Sequence, residues 1–258
     1  MINAMNLESI FRWGKYFAGA LFFLYLASMV VWPLAASGGD WTYVQRVWDR
    51  WQALNVGVLA LISSVVAFYA TRYSAEKQRE RDFMASKAFL PAALSELASY
   101  FNESAKVLKA CWDEYPRAPE DLHVPSLPIG YEKIFGDCIK HADPTVGDYL
   151  SQVLRWLQVH DARIKAYVAT YDEDSGEITV KQSIISYLYR LAQLQAWVNK
   201  LFPFARNMGD LDDTPLEWSD YENAYGNLDI RPREFQYDGK RTLVDFTQDR
   251  LSRKDDQQ

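Results

Sequence analysis

Apolar and polar residues follow two different regimes along this chain. No charged residue occurs from Tyr16 to Ala36, nor from Trp51 to Thr71. A hydrocarbon slab about 30 Å thick takes roughly 20 helical residues to cross. A helix on the outside of a water-soluble core normally carries charge on its outer face. The two runs therefore predict membrane-spanning helices over 16–36 and 51–71, joined by an external loop over 37–50 and preceded by a short segment, 1–15. Trp13, Tyr16 and Phe17 flank one end of the first run, and Trp32 and Trp41 the other. Trp48 and Trp51 precede the second run, and Tyr69 and Tyr73 mark its far end. Rings with one polar edge collect at headgroup depth in this way. Arg12, Lys15 and the small residues Ala35, Ala36 and Ser37 resemble a signal peptide, but the apolar run is longer than an h-region, so retention is expected.

Within the second run, Ala53, Gly57, Ala60, Ser64, Ala67 and Thr71 recur at alternating steps of four and three. That spacing lines the small side chains along one face, where backbones approach closely and helices pair in lipid. The expected neighbour is the first span, with a second copy of the chain as the alternative.

Past Thr71 the pattern turns periodic. Phe83, Leu90, Leu94, Leu97, Phe101, Leu108 and Trp112 predict a helix continuing from the second span, kinked or broken at Pro91. A connector with Pro116, Pro119, Pro125 and Pro128 follows. Asp143 before Pro144 starts a long helix with the stripe Val146, Leu150, Val153, Leu157, Ile164, Val168 and Tyr171, closed by the acidic turn from Asp172 to Gly176. Thr179 and Gln182 have capping-box spacing ahead of Ile184, Leu188, Leu191, Gln195, Val198 and Phe202, a helix expected to stop at Pro203. The resulting expectation is an all-α membrane protein: a two-helix transmembrane hairpin continuing into a cytoplasmic helical bundle over 72–230, antiparallel and coiled-coil-like. Thr214, Pro215 and Glu217 read as the cap of a short helix. In the last stretch, 231–258, Asp238-Gly239 suggests a small β-hairpin, followed by a short helix and a frayed tail.

Charge fixes the orientation. Lys and Arg concentrate on the cytoplasmic side of a span. Arg12 and Lys15 lie before the first run, and Arg72, Lys77, Arg79, Arg81 and Lys87 after the second, against Arg46 and Arg50 in the loop. Both termini are thus expected in the cytoplasm, of an inner membrane if the cell is bacterial. The whole chain has 28 basic and 34 acidic residues, a net charge of −6, which argues against nucleic acid as a partner.

Chemistry-bearing motifs are sparse. There is no phosphate loop, dinucleotide fingerprint, nucleophile elbow or zincin signature, and two cysteines make no disulfide framework. Cys138 and His141 are spaced to reach one metal ion from a single turn, but further ligands are wanting. His160 and Gln195 each interrupt an apolar stripe and are expected to hydrogen-bond to one another. The acidic segment from Asp210 to Glu222 matches no calcium loop. These readings predict no cofactor and no enzymatic activity. They predict a membrane-anchored interaction or regulatory module whose partners are the bilayer, a protein at the cytoplasmic face, and a homo-oligomeric copy of itself. The competing readings are an oligomerising effector that permeabilises the bilayer and an enzyme working at the membrane face.

Overall fold

The computed structural model describes residues 19–20, 22–116, 119, 122–172 and 181–255, with no side-chain description for 170–172 or 254–255. Expectations resting on Arg12, Trp13, Lys15, Tyr16, Phe17, the turn from Glu173 to Gly176, and Thr179 fall outside these residues. The protein is mostly helical, with a single two-stranded sheet. It divides into two compact units, 1–75 and 76–258.

In the first unit, helix α1 (Phe22–Ala36) contains a π-helical turn, Ala27–Val31. Pro33 has no N–H to give the carbonyl of Met29 four residues back. The indole Nε1 of Trp48 donates to that carbonyl at 2.8 Å. Trp48 belongs to α2 (Trp41–Arg50), which occupies the segment expected to be a loop. Asp40 caps it, accepting from the Thr42 amide at 2.9 Å. Val44 and Met29 are buried where α2 meets the π-turn. The loop expectation therefore gives way to a capped amphipathic helix, because Asp40 and the one-sided spacing of Val44, Val47 and Trp48 outweigh the charges between them.

Helix α3 (Gln52–Lys87) follows after Trp51. No residue from 52 to 71 is buried. Tyr25 donates its hydroxyl to Asn55 Oδ1 at 2.9 Å, and Phe22, Tyr25, Val58, Leu61, Ile62 and Val65 line an apolar groove of about 420 Å³. This polar pairing sets the rotation of α3, so α1 meets the face carrying Asn55 and Val58. The expected packing of α1 on the small-residue stripe is not found among the described residues. Ala53, Gly57, Ala60, Ser64, Ala67 and Thr71 are all exposed, and nothing lies within 4 Å of a side chain built on Gly57.

In the second unit, α3 ends at Lys87 and α4 (Leu90–Asp113) begins with Pro91 in its first turn, where the missing N–H costs nothing. Leu90, Leu94, Leu97, Phe101 and Leu108 point inward with no exposure. Helix α5 (Tyr131–His141) starts after Gly130, whose φ of 88° suits a residue without a β-carbon, and buries Tyr131, Phe135 and Cys138. Helices α6 (Pro144–Asp172) and α7 (Lys181–Ala205) complete the long elements. Pro203 does not stop α7: it forfeits one hydrogen bond near the end, while Phe204 and Ala205 are still buried.

Helix α7 is the centre of the unit. It contacts α4, α6, α8 (Trp218–Asn227), α9 (Leu243–Asp255) and the hairpin. Every residue from Leu191 to Val198 is buried. A coiled-coil seam buries one stripe and wets the rest; over 191–198, α7 is instead enclosed on all sides, since α8, α9 and the hairpin cover the face that a three-helix seam leaves open. Glu217 and Asp220 form a reciprocal capping box at the start of α8. Strands β1 (Gln236–Tyr237) and β2 (Arg241–Thr242) pair antiparallel around Asp238 and Gly239, both at positive φ. The short helix expected after the hairpin is present, with Leu243 and Thr247 buried against the unit; it runs as far as Asp255, into the tail expected to fray, whose last residues, 256–258, lie outside the described residues.

Candidate functional site

The sequence-predicted polar residues end up in different places. Cys138 is buried on α5 and His141 is half-buried at its end, while Asp143 takes an ion pair from Arg79 at 3.2 Å. Burial pushes the Cys138 and Cys111 thiols up to about 11, against the thiolate a metal would require. Among the described residues no group of three His, Cys, Asp or Glu side chains is placed to hold a metal ion. The acidic segment folds around a cation of the protein itself: the Nζ of Lys200, on α7, lies 3.0 Å from Asp212 and 3.7 Å from Asp220 and donates to Thr214 Oγ1 at 2.8 Å. Hydrogen bonds from Thr214 and Lys200 hold the Asp212 carboxyl below the ordinary carboxylate range.

His160 is the outlier. It is only 4% exposed, between α4 and α6, with its ring edge-on to Tyr100 at 6.2 Å between centroids. Tyr100 donates to Asp161 Oδ1 at 3.2 Å, and Lys165 donates to the other oxygen at 2.7 Å. Burial lowers the His160 imidazole to about 4, with neighbouring Asp161 pulling the other way, so the ring is neutral near pH 7. Its Nε2 has no hydrogen-bond partner, and neither has Oε1 of Gln195, whose amide donates to Asn199 at 2.8 Å. The hydrogen bond expected between those two atoms is therefore not made: Gln195 turns its amide along its own helix.

His160 instead lines a narrow crevice between α6 and α7 with Trp156, Arg163, Tyr187, Arg190 and Gln193. The crevice offers only about 10 Å³, room for about one water molecule. Arg190 lies over the Trp156 ring at 4.5 Å and donates from NH1 to Gln193 Oε1 at 2.7 Å. Arg163 makes no ion pair among the described residues. Among the described residues, no carboxylate lines the crevice. The sequence reading singled out only His160 here. Trp156, His160 and Arg163 follow one another at steps of four and three, and Arg190 and Gln193 at a step of three, so each set shares a helix face. That α6 and α7 turn those faces together depended on packing that spacing alone does not specify.

No family model matches this chain, and neither does any curated protein or solved structure.

Proposed function

We propose that this chain is an integral membrane protein whose two apolar helices form a transmembrane hairpin, both termini cytoplasmic, and whose 76–258 unit is a non-enzymatic interaction or regulatory module. One observation carries the membrane reading: α3 is long and apolar enough to cross a bilayer, and none of its apolar window is buried in the protein. Left in water, such a helix would expose Leu54, Val56, Leu59, Leu61, Val66 and Phe68, at a cost on the order of 1 kcal/mol or more for each side chain. Lipid removes that cost. The sidedness draws on the basic residues after Thr71, and Trp41, Trp48 and Trp51 suit headgroup depth. The regulatory reading rests on a helical domain with one continuous core and, among its described residues, no group of three His, Cys, Asp or Glu side chains placed to hold a metal ion.

Sidedness is testable by cysteine labelling, because Cys111 and Cys138 are buried and give little background. Ser37→Cys should react with a membrane-impermeant maleimide in intact cells, and Ser252→Cys only after permeabilisation. Labelling of Ser252→Cys in intact cells contradicts the orientation. The module reading predicts a specific protein adduct when a photo-crosslinker replaces exposed Phe89 in native membranes; the lack of one counts against it.

The exposed small-residue stripe on α3 favours a second reading, in which copies associate in the bilayer and permeabilise it. Neither apolar run carries the charges typical of an ion pathway. If this reading holds, expression collapses the membrane potential and Gly57→Leu restores it; an unchanged potential in both disposes of it.

A further inference from the structure

We infer that the crevice between α6 and α7 binds one oxyanion, a phosphate monoester or inorganic phosphate, with one oxygen on His160 Nε2 and the others held by Arg163 and Arg190. Charge is the first support. The chain is acidic overall, with 34 Asp and Glu side chains, yet among the described residues two guanidiniums line this crevice and no carboxylate does. Arg190 spends one nitrogen on the neutral Gln193 amide and one face on Trp156, so it is held in place without being neutralised. A stacked, oriented guanidinium with free N–H groups suits planar recognition of phosphate oxygens.

The second support is independent of charge. His160 lines the crevice, and its Nε2 is buried and without a partner. A buried ring nitrogen left unpaired carries a desolvation cost that a ligand atom can remove. A neutral imidazole in the tautomer with its proton on Nε2 is a donor, matched to an anionic oxygen. Size is the third. The crevice offers about 10 Å³ in all, which admits one group of water size, such as a single oxygen of a tetrahedral anion. A carboxylate ligand uses the donors less fully, since it has only two oxygens for three of them.

All of these residues belong to the 76–258 unit, so the site does not depend on the membrane reading. The probe is inorganic phosphate, titrated against the full-length chain in zwitterionic detergent at constant ionic strength. The readout is the imidazole resonances, of which the chain has only three. The His160 signal should shift saturably, with a Kd of about 1 mM or tighter, while His123 and His141 stay still. Arg163 is exposed, so Arg163→Gln should fold normally and weaken binding about tenfold, the loss of one charge-assisted contact. His160→Gln should weaken calorimetric phosphate binding similarly. Two further arms separate the sources of the phosphate. A His160 shift in nanodiscs containing phosphatidic acid without added phosphate assigns the site to a lipid headgroup; a shift only on adding methyl phosphate assigns it to a soluble ester. No His160 shift up to about 50 mM phosphate, or a shift unchanged by Arg163→Gln, overturns the inference.

Discussion

His160 and Gln195 carry the sharpest consequences among single side chains, because each has a buried polar atom without a partner. The His160 imidazole is pushed by burial to about 4 in the folded chain, against roughly 6.5 when unfolded. Between those values the unfolded chain holds a proton that the folded chain lacks, so acidification favours unfolding. The associated stability is fully present above about pH 6.5 and is lost as pH falls toward 4, by up to about 3 kcal/mol. Denaturant midpoints at pH 7 and 4.5 should therefore converge in His160→Gln and differ in the parent. Asp212, Asp229 and Asp245 are held low by hydrogen bonds from Thr214, Lys109 and the Thr242 amide respectively, so their losses begin at lower pH and cancel in the comparison. For Gln195, replacement by leucine removes an unpaired buried oxygen and keeps the shape. Gln195→Leu should leave stability unchanged or raise it by about 1 kcal/mol in chemical denaturation; a loss of several kcal/mol shows that the amide fixes the position of Asn199 and with it the end of α8, where Asn227 donates to Asn199.

Among the elements, α7 differs most from its sequence appearance. Its periodicity marked Ile184, Leu188, Leu191, Gln195, Val198 and Phe202, all of which are buried except the half-buried Phe202. The same periodicity left Ala192, Gln193, Leu194, Ala196 and Trp197 to solvent, and these are buried too. A stripe is legible when one face of a helix is covered; when the opposite face is covered by α8, α9 and the hairpin, the sequence shows only that this face is less polar than usual. Leu191→Ala at the fully buried centre should cost about 3 kcal/mol in a denaturant titration. The break at Pro91, the start at Pro144 and the turn at Asp238-Gly239 were legible because proline and positive φ act locally. Helix α5 was hidden behind the prolines, although Tyr131, Ile134, Phe135 and Cys138 have helical spacing. Helix α2 was hidden by its charges; its hold on α1 passes through the Trp48–Met29 hydrogen bond, which no local pattern announces.

Taken together, the chain joins a unit that buries its apolar residues with one that leaves them exposed. In the 76–258 unit, leucine, phenylalanine and tyrosine side chains form one continuous core. In the 1–75 unit, no residue of α3 from 52 to 71 is buried, and the proposed membrane reading gives those apolar side chains lipid as their environment. Composition averaged over the chain conceals this contrast, because 49% hydrophobic and 24% charged residues describe an ordinary globular protein. Alkaline carbonate extraction of membranes from cells expressing the full-length chain, followed by flotation, settles whether α3 resides in the bilayer. The chain should remain with the floating membranes and be released only by detergent; recovery in the carbonate supernatant as a dispersed protein would contradict the membrane assignment and the orientation built on it.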